Sequence, residues 1–175
     1  RRQLRTMETT QGTSVTLVSK EGDAFEVPLE VARMSKLVRD TTDEADPDDG
    51  PQEIPLSAVK ATVLAKVIEY CTHYQTENMN PIQTPLKSSK LEDLVQTWYV
   101  EFVKVEQILL FEMVTAANYM DIKPLLDLTC LAVAIMIRGK PADELRKMFN
   151  ISNDFSPEEE AAVREENKWG ESADR

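Results

Sequence analysis

Few residues in this chain could carry chemistry, and their spacing does not suit it. The one histidine, His73, stands two positions after Cys71, and that pair supplies only part of the tetrahedral ligand set a structural zinc site needs. The glycines (Gly12, Gly22, Gly50, Gly139 and Gly170) are scattered, whereas a phosphate-cradling loop or a dinucleotide fingerprint needs them clustered so that backbone can approach the ligand. There is no G-x-S-x-G elbow. The carboxylates gather after Asp40 and in the last helical segment, where water solvates them instead of burial turning two of them into an acid and a base. No nucleophile with a base, metal shell or phosphate cradle can be assembled, so the sequence predicts no enzyme and no cofactor. What it has in surplus is apolar surface. Leu145, Met148, Phe149, Ile151, Phe155 and Trp169 lie in short charged segments that cannot cover them. A partner groove or partner helix is the economical reading, and docking back on the chain's own central helices is the alternative.

Composition narrows the partners. In 175 residues there are 31 acidic against 20 basic side chains and a net charge of -11, which repels phosphate backbones and anionic lipid, so nucleic acid and membrane are not expected. The longest apolar run, Leu131 to Ile137, is far short of the roughly 20 residues that span a bilayer. Both cysteines, Cys71 and Cys130, sit in apolar periodic stretches, where a thiol serves as a small hydrophobe, and no secretory segment is visible, so a reduced, intracellular setting is expected. Met7 is a candidate natural start, and residues 1–12 are expected to be disordered or foreign to the fold.

The elements follow from periodicity. TSVTLVS alternates with Val15 and Leu17 inward, SKEGD turns at Gly22, and AFEVP resumes the alternation, so a hairpin is predicted. LEVARMSKLV reads as one helix, followed by a solvated acidic loop over residues 40–53. EIPL supplies a short strand, and Ser57 is the candidate N-cap of a helix reaching Tyr74. Residues 75–97 form a long loop in which the main break of the chain is expected. KVEQILLFEMVTAANYMD is apolar almost all round, which predicts a central helix packed on more than one face. IKPLLDLTCLAVAIMIRG pairs with it and stops at Gly139. PADELRKMFNI and SPEE open two short final helices, the second with Ser156 as N-cap, Pro157 in first position and Glu159 closing a capping box. The predicted class is α/β of the α+β kind, a small mixed sheet with helices and then a helical extension.

The stretch KVEQILLFEMVTAANYMDIKPLLDLTCLAVAIMIRGK, with LRKMFNISNDFSPEEEAAVREENKW after it, resembles the Skp (S-phase kinase-associated protein) adaptors of SCF ubiquitin ligases. The likeness runs from SVTLVSKEGDAFEVP to Trp169 and leaves out the two loops and the ends; AANYMDIK, FNISNDF and EENKW are its most specific motifs. It implies a POZ/BTB-like domain over residues 13–138, a two-helix extension over 139–169, a tail over 170–175, and a non-catalytic adaptor that links a cullin to F-box substrate receptors for ubiquitin-dependent degradation, in cytoplasm and nucleus. Carried over by position, the cullin would meet Asn118 and Tyr119, and the F-box would meet Leu110, Phe111, Leu126, Cys130, Val133, Met136, Phe149, Ile151, Phe155, Glu160 and Trp169. Asn118 and Tyr119 join a polar amide to an amphipathic ring, types that serve interfaces because they also tolerate water. For Leu110 and Phe111 burial in the chain's own core is an equal reading. Where the family commonly reads G-K-T-P, with a proline that some protists modify, this chain has GKPAD, so modification of Pro141 is not carried over. The alternative is a self-associating POZ/BTB module or an elongin C-like one outside an SCF complex, and the extension from Pro141 to Trp169 is the feature that separates the two. A weak homodimer of the free protein is compatible with either.

Overall fold

The computed structural model describes residues 14–44 and 52–167. Strands β1 (Ser14–Val18) and β2 (Ala24–Pro28) form the expected hairpin, antiparallel with Leu17 opposite Phe25, and β3 (Glu53–Pro55) joins β1 in parallel with Ile54 opposite Leu17. The sheet order is therefore β2-β1-β3. Alternation puts Val15, Leu17, Val27 and Ile54 on the buried face. Gly22 makes the turn with φ at 93°, a conformation that costs glycine nothing.

The single helix expected over LEVARMSKLV is instead two, α1 (Leu29–Ala32) and α2 (Lys36–Asp43). Ser35 separates them: it is extended, its Oγ accepts the Val38 N–H, and its hydroxyl donates to the Met120 carbonyl. This buried N-cap rests on a contact far away in sequence. The acidic loop expected from residue 40 is also corrected, because α2 runs to Asp43 and β3 begins at Glu53; residues 45–51 lie outside the described residues. Ser57 caps nothing. Helix α3 (Ala61–Thr76) starts after Lys60, and the Ala61 N–H donates at 2.8 Å to the Glu21 carboxylate in the hairpin turn. That backbone bond is the main cause holding the Glu21 carboxyl below its usual range.

The long loop is tied down, not a break. Leu91–Asp93 form a 3₁₀ turn, Met79 and Val95 are buried, and the Gln96 amide donates to the Asn78 carbonyl and accepts the Asn80 N–H. Tyr99, in α4 (Thr97–Phe102), donates its hydroxyl to the Glu77 carbonyl. Helices α5 (Gln107–Tyr119) and α6 (Lys123–Ile137) form the expected hairpin. Its turn is closed by Asp121 at φ 51°, with Ile122 N–H donating to the Ala117 carbonyl. Packing of α3 on α5 places Leu64, Val67 and Tyr70 with Leu110, Met113 and Ala117 in one core.

The chain divides into two compact units between Met136 and Ile137. The second holds α7 (Ala142–Met148) and α8 (Pro157–Glu166). Gly139, at φ 70°, ends α6 as the sequence predicts. The capping box at α8 is complete: Ser156 Oγ accepts the Glu159 N–H, and the Glu159 carboxylate accepts the Ser156 N–H, with Pro157 in the first turn.

Candidate protein-interaction site

Helix α5 is the element that sorts the candidates. Leu110, Met113 and Ala117 recur at helical spacing on its inner face and are buried. Successive residues on a helix point about 100° apart, so the face that Leu110 leaves open carries Ile108, Phe111, Glu112, Thr115, Asn118 and Tyr119 in turn. Ile108 is 71% exposed, Asn118 is exposed and Tyr119 half-buried. A groove of about 300 Å³ runs between this face and the start of α3, lined by Val59, Lys60, Val63, Ile108, Phe111 and Thr115 among others. Lys60 Nζ reaches Glu112 Oε1 at 2.6 Å on its rim, and that hydrogen bond raises the ammonium above its ordinary pKa. Apolar lining with one ion pair on its rim has the character of a protein-docking surface.

This separates two residues that sequence reasoning put together. Leu110 is 2% exposed and belongs to the core, so a docking partner cannot reach it in this state. Phe111 lines the groove, on the same helix face as Asn118 and Tyr119 rather than with the α6 residues. Helix α6 carries its own stripe: Leu126, Val133 and Met136 are half-buried and Cys130 exposed, while Leu125, Leu128, Thr129 and Leu131 face the core. Ile108, Thr115 and Val59 were missed. The spacing 108, 111, 115, 118 was legible, but in a helix apolar on every side nothing in residue type marks the open face.

In the second unit Phe149, Ile151 and Phe155 are exposed on the segment between α7 and α8. Its backbone is locally fixed. Asn150 sits at φ 53° past the end of α7, and Ile151 N–H donates to the Arg146 carbonyl at 2.8 Å, closing the helix end. Asn153 Oδ1 then accepts the Phe155 N–H, one residue before the capping box. Glu160 is engaged within the unit, accepting from Arg164 at 3.1 Å and lying 3.6 Å from Arg146. Trp169 lies outside the described residues.

His73 and Cys71, the candidate metal ligands, serve packing. His73 stacks on Trp98 with ring centroids 3.7 Å apart, and burial pushes the Cys71 thiol up to about 12, far from the range of a nucleophile or metal ligand.

The chain matches two family models, described as the Skp1 family tetramerisation domain over residues 13–76 and the Skp1 family dimerisation domain over residues 123–170. It is 46% identical over 162 residues to an S-phase kinase-associated protein 1 homolog of Tetrahymena thermophila, covering 92% of this chain and 96% of that one. To the SCF ubiquitin ligase complex proteins SKP1a and SKP1b of Dictyostelium discoideum it is 45% identical over 157 residues, 90% of this chain and 95% of theirs.

Proposed function

The chain belongs to the Skp1 family, and on that premise we propose that it is the non-catalytic adaptor of an SCF-type ubiquitin ligase, joining a cullin to F-box substrate receptors in cytoplasm and nucleus. The observation that carries the reading is likeness along nearly the whole chain to proteins whose name places them in the SCF complex. The geometry supports a division of labour. The outer face of α5, with its groove and with Asn118 and Tyr119 at its end, takes the cullin. The α6 stripe from Leu126 to Met136 in the first unit is assigned to the F-box, as is, in the second unit, the loop bearing Phe149, Ile151 and Phe155; Trp169, outside the described residues, is assigned to it by the family resemblance alone. Phe111 goes with the cullin face on this reading, because at about 100° per residue it shares the outer face of α5 with Asn118.

Self-association is a second reading that fits the family descriptions, which name a dimerisation and a tetramerisation domain. An elongin C-like module is disfavoured, because the dimerisation match extends through both helices of the second unit. The test is direct binding of the purified chain to a cullin N-terminal domain and, separately, to an F-box domain. Binding to both supports the adaptor; binding to neither, together with stable tetramers in light scattering, supports self-association instead.

A further inference from the structure

Phe155 presents a problem that the interface alone does not solve. It is 45% exposed at the end of an irregular segment, and a large ring left that open would ordinarily have to be ordered by its partner, a cost that comes out of affinity. One neighbour is Arg146, whose guanidinium carbon lies 5.9 Å from the ring centroid, within cation–π range. Arg146 is itself held. Its Nη1 reaches Asp143 Oδ1 at 2.9 Å on its own helix and Glu160 Oε1 at 3.6 Å on α8, and its side chain is only 22% exposed. Arg164 joins the same two carboxylates, 3.1 Å from Glu160 and 3.6 Å from Asp143, so the four charges alternate in sign around a closed ring.

A second tether ends at the same point. Asn153 Nδ2 donates to Glu160 Oε2 at 3.4 Å, and Asn153 Oδ1 accepts the Phe155 N–H at 3.3 Å. The backbone of Phe155 and its ring are thus both tied, by different routes, to Glu160. Exposed ion pairs of this kind add little to stability. A planar guanidinium gripped at its edge by carboxylates does, however, keep its face in a fixed place, as an ammonium would not.

We infer that Arg146 is a positioning residue, held by Asp143 and Glu160 so that it fixes the Phe155 ring in the orientation a docking F-box meets. Glu160 then serves the interface from behind, as part of the support and not as a contact. The inference rests on the F-box reading above and adds to it the residue that prepares the surface in the free protein.

The test is a double-mutant cycle. Arg146→Gln, Phe155→Ala and the double variant are titrated against a purified F-box domain, with the melting point of each free chain recorded. Fixing one rotamer-rich side chain in advance corresponds to roughly a 3- to 10-fold gain in affinity, so Arg146→Gln is expected to weaken binding by that factor with little change in melting point. In the Phe155→Ala background the same substitution should change affinity less than about 2-fold, since the ring it acts through is gone. Equal losses in both backgrounds, or no loss in either, overturn the inference. If the wild-type chain does not bind the F-box domain, the functional reading falls, and the free protein decides the positioning: the Arg146 δ protons should show an upfield ring-current shift that Phe155→Ala removes, and random-coil shifts in the wild type refute it.

Discussion

Replacing Ile108 with Ser asks whether the groove on α5 is a working surface. Ile108 is 71% exposed in the free chain, so about two-thirds of the benefit of burying it is still to come from a partner. Complete burial of an Ile side chain is worth about 1.5–3 kcal/mol, and the share still available is then about 1–2 kcal/mol. That corresponds to roughly a 5- to 30-fold loss in affinity for a cullin N-terminal domain, measured by calorimetric titration. Folding gains only the remaining third, about 0.5–1 kcal/mol, so the melting point should move by no more than about 4 °C. Leu110→Ala, two positions along, is the counter-case: Leu110 is 2% exposed, and its truncation should cost about 2–5 kcal/mol of stability. Ile108→Ser with wild-type cullin affinity would show that nothing covers the groove. A drop in melting point beyond about 5 °C would show that Ile108 serves folding, and either result would remove the groove from the cullin surface.

Asn118→Lys with Tyr119→Lys puts two unpartnered charges on the same face, and should cost cullin binding several kcal/mol while F-box binding and the fold survive; wild-type cullin affinity would remove the pair from the interface. Burial raises Cys71 from its ordinary 9.0 and Tyr99 from 10.0, each to about 12, and raises Tyr70 as well. The folded chain keeps protons that the unfolded chain releases, so stability is full below about pH 9 and is lost as pH rises toward 12; a urea midpoint that stays flat over that window contradicts this. Ser156→Ala removes half of the capping box and should cost about 1 kcal/mol locally, read as roughly 5-fold faster amide exchange in α8. Because the Ser156 backbone bond holds the Glu159 carboxyl below its usual 4.5, wild-type α8 should lose the same protection as pH falls through that range, and exchange that ignores both changes would deny the cap its role. Asn150→Ala should cost roughly 1 kcal/mol for its left-handed backbone, whereas Asn150→Gly should be nearly neutral in the same exchange experiment; equal effects would count against the strained helix end.

What could be read in the sequence was what local chemistry decides. Alternation at Val15 and Leu17 gave the hairpin, the S-P-E-E order gave the cap of α8, and Gly139 marked the end of α6, because each signal is complete within a few residues. The failures share the opposite property. Ser35 divides the first helix through a hydrogen bond to the Met120 carbonyl, and Glu21 starts α3 from a turn 40 residues away, so neither leaves a mark in its own neighbourhood. The long loop looked like a break because Met79, Val95 and Gln96 are isolated in sequence, and only the folded chain gathers them. Along α5 the apolar residues are equivalent as letters, and packing alone decides that Leu110 faces inward while Ile108 and Phe111 line a groove. Arg146 could not be found from sequence, since its partners Asp143 and Glu160 come from two helices joined by an irregular segment.

Whether one chain holds two partners on separate surfaces is decided by mixing the purified chain with a cullin N-terminal domain and an F-box domain and weighing the product by light scattering after size exclusion. An adaptor should give a single ternary complex with one copy of each component, in which saturation with F-box domain leaves cullin affinity within about 2-fold. Mutually exclusive binding, with one partner displacing the other, would contradict it.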